Sequence, residues 1–580
     1  MRLVCDLTLH SRLMVRSLDQ FCQPRKICEE GRYGQPAGTT VMMWHQNYTP
    51  IAQSIGRSAV AAIVPIAVLL FLLAVRRKPA WISAIASLFT AAVVALLVYR
   101  MPVSKVLASA SLGASFGLLP IGWITFNSIL LYRLTLETGQ FEIIKHSLTN
   151  LSDDRRLQVL LIAFAFGSFI EGAAGSGVPV AVGAAMLTGL GFSPLRAASV
   201  CLVANTAPVA FGAIGTPVLT LAVTTGLPLA KLSAGVGRIC SPVALVIPAY
   251  LTVVVGGWRG FKGTLPAALT CGISFAVVQF AVSNFIGPQL AAVIASIAAL
   301  ASLILLLRLW QPKDSQLHHV SPGKHARHRA AEVWCGWLPY VLLAGFVLAW
   351  GWPPLRSLLD MAGPSFDWPA LHNQILRTPP VVAVPTPAAA EYKLEWLSSP
   401  GTACLLASIV AAVFAGLSPK RFGKVVAVTF LQMCLPLITI ASVCALAFLM
   451  NYCGAAATLG LAFAGTGKLF PFFGALLGWL GVFLTGSDAS SNALFGNLQT
   501  VTANRLGLSP VLMASANSGG GVMGKMISVQ TIAVASAATG MKASDEAKLL
   551  RFSFWRSVVL ASAIGLLTTL YAYVIPNFVC

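Results

Sequence analysis

Charge is what this sequence has least of. Only 10% of its 580 residues are Asp, Glu, Lys or Arg, whereas 57% are apolar and mean hydropathy is +0.80. Soluble domains carry roughly 25% charge, so a soluble enzyme is excluded, because too few charged side chains remain to cover a globule of 60.9 kDa. Histidine is missing from every long apolar run. The eight stand at positions 10, 45, 146, 318, 319, 325, 328 and 372, which excludes a histidine proton relay inside a membrane. The twelve cysteines form no CxxC pair, and Cys201, Cys240, Cys271, Cys434 and Cys444 lie in apolar sequence. That pattern excludes a disulfide frame and a thiolate metal site. Residues 1–41 lack the apolar core of about 7–15 residues that a signal peptide needs, being interrupted by Arg2, Asp6, Arg12, Arg16 and Asp19.

What the chain does have is apolar sequence in blocks. At about 20 residues per spanning helix, the reading is an all-α polytopic membrane protein with about 12 to 14 transmembrane helices, and the lipid bilayer is its solvent. The net charge of +21 does not call for nucleic acid as a partner. Its basic residues fall in loops between apolar blocks, as the positive-inside bias places them, and little soluble surface is left for phosphate contacts. The spacing predicts a dispensable polar extension over residues 1–41, with Met42 or Met43 as the native start, and a first membrane half over 42–307. A basic linker over 308–332 holds Arg308, Lys313, Lys324, Arg327 and Arg329 and faces the cytoplasm. Its histidines are too irregularly spaced for a metal site, and no cofactor motif appears anywhere. The second membrane half covers 333–580, with the long polar stretch 351–400 on the outside.

The two halves repeat. GSFIEG at Gly167 matches GVFLTG at Gly481, and Ser193-Pro194 matches Ser509-Pro510. Asn205-Thr206 and Asn517-Ser518 follow, each entering Gly-rich sequence. Matched interruptions of apolar segments in two halves are the sequence pointer to a transporter's binding site, and irregular backbone at membrane depth is tolerated only where it is buried in protein or lines a wet cavity. Two internally repeated halves with broken or re-entrant helical hairpins are therefore expected. Small residues that let helices approach explain the glycines. They do not explain paired Asn, Thr and Ser at the breaks.

Two of the 18 acids, Glu171 and Asp488, lie in the middle of small, apolar sequence. An ionisable side chain at that depth costs at least a few kcal/mol and marks function by default, so these two are expected to carry proton coupling. Lys525 is the basic counterpart, and its sequence leaves three courses open: pairing with Asp488, binding a substrate carboxylate, or snorkelling to the interface. Broken helices that converge by their N-termini offer free N–H groups and positive dipole ends to an anion. With Asn205, Thr206, Asn517, Ser518 and Lys525 as substrate-binding residues, the residues read as a carrier for a small anion. An anion channel and an intramembrane protease remain the alternatives.

The runs FIEGAAGSGVPVAVGAAMLTGLGFSPLRAASVCLVANTAPVAFGAIGTP, LTGSDASSNALFGNLQ and ANSGGGVMGKMISVQTIAVASAATG closely resemble the lactate permease family. So do WHQNYTP near Trp44, GGWRG at Gly256, SNFIGPQL at Ser283, LHNQ at Leu371 and EYKLEWLSSPGTA at Glu391. The likeness covers residues 42–580. It implies uptake of L-lactate, D-lactate or glycolate across a bacterial cytoplasmic membrane in symport with protons. It also implies kinship with carriers whose Ser-Asn-Thr-like hairpin tips bind carboxylates in an elevator-like homodimer, with Asn205-Thr206 and Asn517-Ser518 in the matching positions. The sequence departs at Ser176, where the family usually carries an aromatic, and in its N-terminal extension.

Overall fold

The computed structural model describes residues 43–175, 177–312, 328–541 and 543–579. The N-terminal extension, most of the basic linker and Ser176 lie outside these residues. Helices dominate. Among the described residues, eleven helices are long and apolar enough to cross a membrane, or up to twelve if the bent pair Pro194–Ala204 and Val209–Thr225 counts as one span. One of the eleven, Leu229–Phe285, has 57 residues. At about 1.5 Å per residue it would be near three times the thickness of a hydrocarbon core. It is not one rod. Gly257 breaks it with φ 64° and ψ −170°, and Gly272 packs on the backbone carbonyl of Leu245, so the two arms fold back on each other. Counted as two spans, it adds one to the eleven, and the chain is the polytopic all-α membrane protein its composition implies.

Several helices start in the same local way. Ser399-Pro400, Ser418-Pro419 and Ser509-Pro510 place a serine at the cap and a proline in the first turn, where proline has no N–H to waste. Each of these serines accepts a hydrogen bond from the backbone two or three residues on. The polar stretch 351–400 forms short strands at Ser365–Asp367, Ile375–Arg377, Thr386–Pro387 and Glu391–Lys393. Trp44–His45 pairs in parallel with Ile375–Leu376, tying the start of the described chain to this stretch.

Four segments position the site. In the first half, Arg155–Ala173 climbs to a tip that includes Gly175 and Gly177, and Val178–Gly189 returns. Pro194–Ala204 then stops at Asn205, and the chain resumes as Gly212–Thr225. In the second half, Phe470–Thr485 climbs to Gly486-Ser487, and Asp488–Leu506 returns. Pro510–Lys525 stops at Met526, and Val529–Thr539 follows. Each half is thus a hairpin followed by a discontinuous helix.

Candidate functional site: a charged cavity between two hairpin tips

The tips are where the sequence cannot continue a helix. Gly177 takes a left-handed φ of 79° and Pro179 opens the returning arm. Gly486, at φ 73°, ends the rising arm of the second hairpin. Ser487 then caps the next helix by accepting from Ser490 N, and Asp488 is that helix's first residue. In the first discontinuous helix, Ala213, Ile214 and Gly215 all adopt positive φ, strain that non-glycine residues sustain only where surroundings hold them.

Both tips and both breaks meet at a cavity of about 440 Å³, within the usual size range of small-molecule sites. Gly175 and Gly177 come from one tip, and Thr485 to Ser490 from the other. Val209, Gly212, Ala213 and Thr216 come from the first break, and Lys525, Gln530 and Thr531 from the second. Met433, Pro436 and Ile440 of the long helix Pro419–Cys453 close another side.

Of the seven residues singled out by the sequence, Glu171, Asp488 and Lys525 line this cavity. Lys525 pairs with Glu171 and not with Asp488: its Nζ donates to Glu171 Oε1 at 3.1 Å. The pair is buried, and it joins the first hairpin to the second discontinuous helix. Glu171 sits against Gly212, where a Cβ would come within 2.8 Å of Oε1. Asp488 is held differently. Its Oδ2 accepts from Ser518 Oγ at 2.6 Å and from Asn492 Nδ2 at 3.4 Å, and it packs on Gly521. An anion on the first turn of a helix is further favoured by the dipole.

Asn205, Thr206, Asn517 and Ser518 are all buried but stand outside the cavity lining. Thr206 Oγ1 donates to Val203 O at 2.7 Å. Ser518 reaches the cavity through Asp488. Asn517 lies inside a continuous helix, donating to Asn492 Oδ1 at 2.9 Å and accepting from Gln499 Nε2 at 3.2 Å. Asn205 caps the interrupted helix, and neither its Oδ1 nor its Nδ2 finds a partner among the described residues.

The supporting residues Asn492 and Gln499 escaped sequence reasoning. Their signal was available: positions 488, 492 and 499 fall near one face of a helix, and a polar stripe on an otherwise apolar span has a purpose. Thr485, Ser487 and Gln530 also line the cavity, and only their closeness to the tips hinted at it.

A bundle of spanning helices with paired hairpins around a buried charged cavity defines a polytopic membrane protein of the transporter class. The family model for L-lactate permease matches residues 58–575. The chain is 44% identical over 564 residues to the L-lactate permease of Bacillus subtilis, covering 92% of this chain and 99% of that one. It is 42% identical over 556 residues to the glycolate permease GlcA of Escherichia coli, with the same coverage. This chain belongs to the L-lactate permease family. Among solved structures it is similar to the YdaH transporter of Alcanivorax borkumensis, at 15% identity and a TM-score of 0.42 over 80% of this chain and 86% of that one.

Proposed function

We propose that the chain is a secondary active transporter that imports small 2-hydroxymonocarboxylates, namely L-lactate, D-lactate and glycolate, across the inner membrane of a bacterium by proton symport. The observation that carries this reading is the cavity at the meeting of both tips, with one cation and two carboxyl groups in its wall. The relatives, an L-lactate permease and a glycolate permease, supply the substrate class. Lys525 and the N-terminal end of Asp488–Leu506 offer a substrate carboxylate a charge and free N–H groups. Ser487, Thr485 and Gln530 offer partners to its 2-hydroxyl. Glu171 and Asp488 are the groups for proton coupling. Ser518 directly, and Asn517 through Asn492, act on the substrate through Asp488, while Asn205, whose side-chain amide has no partner among the described residues, donates to it from the break beside the cavity, with Thr206 next to it.

The test is counterflow. Proteoliposomes holding the purified chain and unlabelled L-lactate inside should take up labelled L-lactate in a transient, saturable overshoot, which neither a channel nor a protease produces. If no overshoot appears with L-lactate, D-lactate or glycolate, the reading is wrong.

A further inference from the structure

The proposed function leaves open how a proton and an anion are made to travel together, and the arrangement of the three charged groups bears on that question. We infer that Lys525 changes partners during the cycle: Glu171 holds it in the empty cavity, and a proton on Glu171 releases it to the carboxylate of the substrate. The inference rests on the transport reading above and deepens it.

The geometry distinguishes the two acids. Glu171 Oε1 has Lys525 Nζ at 3.1 Å, while Oε2 has no partner among the described residues. The Glu171 and Lys525 side chains are 2% and 10% exposed, so neither charge is compensated by bulk water if the other leaves. Breaking a buried pair by removing one charge is strongly unfavourable unless another charge replaces it. Asp488 makes no direct ion pair with Lys525: its Oδ1, like Glu171 Oε2, has no partner among the described residues, but Ser518, Asn492 and the start of its own helix serve its Oδ2. Asp488 is the fixed charge and Glu171 the exchangeable one.

The charge balance then sets the order of events. Among the described residues lining the cavity, Glu171, Asp488 and Lys525 are the charged ones and the Cys444 thiol is the other titratable group. A monocarboxylate entering with Glu171 ionised would set three negative charges against one positive. With a proton on Glu171, the substrate takes its place opposite Lys525, and the total charge of the cavity is the same as when empty. In the loading step a proton from cavity water forms an O–H bond on the Glu171 carboxylate. The Lys525–Glu171 hydrogen bond opens, Lys525 stays an ammonium group, and the substrate carboxylate accepts its N–H. Release reverses each change: the proton returns to water on the other side, and Glu171 recaptures Lys525. One proton accompanies each monocarboxylate.

Because the pair links the first hairpin to the second discontinuous helix, the same exchange loosens a contact between the two halves when substrate is aboard. Because each bound monocarboxylate brings one proton, raising the pH weakens its binding. Lowering it has the opposite effect.

Equilibrium binding of labelled L-lactate to the purified full chain in detergent, at a series of pH values, tests the inference without requiring transport. Wild-type affinity should weaken as the pH rises, reaching about tenfold per pH unit, since each bound lactate brings one proton. Glu171→Gln should bind lactate with one affinity across the series, and Glu171→Asp should restore the slope. Lys525→Met, checked for a native elution profile, should lose lactate affinity by about tenfold or more, and Lys525→Arg should retain the pH slope. A flat wild-type profile, a slope that survives in Glu171→Gln, or wild-type affinity in Lys525→Met would overturn the exchange while leaving transport intact. Failure of the wild type to bind lactate at any pH would instead overturn the transport reading itself.

Discussion

The two halves share a plan and divide the chemistry unequally. Both hairpins carry a single acid near the tip, yet the acids are not equivalent. The position 314 residues after Glu171 is Thr485, and Asp488 lies beyond the second tip. Lys525 has Val209 as its counterpart 316 residues earlier, and both line the cavity. The discontinuous helices differ as well. The first stops at Asn205, whereas the second runs through Asn517 to Lys525 before it breaks. Repetition supplies the frame, and the departures from it supply a charge pattern in which a cation from one half meets an acid from the other.

Packing explains why the second helix continues through its glycine run. Glycine is a poor helix former, but Gly520 lies against Ala475 O, Gly524 against Trp479 O, and Gly478 of the facing helix against Asn517 O. Pro510–Lys525 and Phe470–Thr485 therefore pack backbone on backbone, and only glycine fits. The largest predicted effect breaks this half alone. Gly520→Val should cost above about 3 kcal/mol and abolish the monodisperse peak in fluorescence-detected gel filtration. Gly189→Ala, in the first half, meets nothing within 4 Å and should elute as the wild type does.

A smaller contrast is expected between the two asparagines. Asn517→Ala strands Asn492 Oδ1, at about 1–3 kcal/mol for a buried group without a partner, leaves Gln499 Nε2 only its bond to Gly474 O, and should lower the melting temperature clearly. Asn205→Ala removes no hydrogen bond and should leave the melting temperature nearly unchanged. If the two variants melt alike, the asymmetry of the breaks is wrong. The smallest effect concerns affinity at the first break. Where Asn205 donates to the substrate in a loaded state, Asn205→Ala should weaken apparent lactate affinity by roughly three- to tenfold, one hydrogen bond's worth. An unchanged affinity removes Asn205 from the substrate's path.

The sequence displayed Glu171 and Asp488 because an ionisable residue stands out in apolar surroundings, and it displayed the tips because glycine pairs and prolines cannot extend a helix. It did not reveal that Lys525 meets Glu171, 354 residues away: neither local spacing nor the repeat links those positions, and only the folding of one half on the other brings them together. Nor did matching Asn205 with Asn517 reveal their different settings. Where a helix stops inside Gly-rich sequence depends on what it packs against. In the first half Pro208, Gly212 and Pro217 mark the break locally; in the second, close packing overrides the glycine propensity until Lys525.

The central claim is that the cavity between the halves couples proton and monocarboxylate through Glu171. The most direct measurement is labelled L-lactate uptake by proteoliposomes of Glu171→Gln, with and without an imposed pH gradient, beside lactate exchange at zero gradient. Glutamine mimics a permanently protonated Glu171, so exchange should persist, because it moves no net proton, while accumulation against a lactate gradient should vanish. If Glu171→Gln still accumulates lactate when the interior is alkaline, the proton travels elsewhere and the account is contradicted.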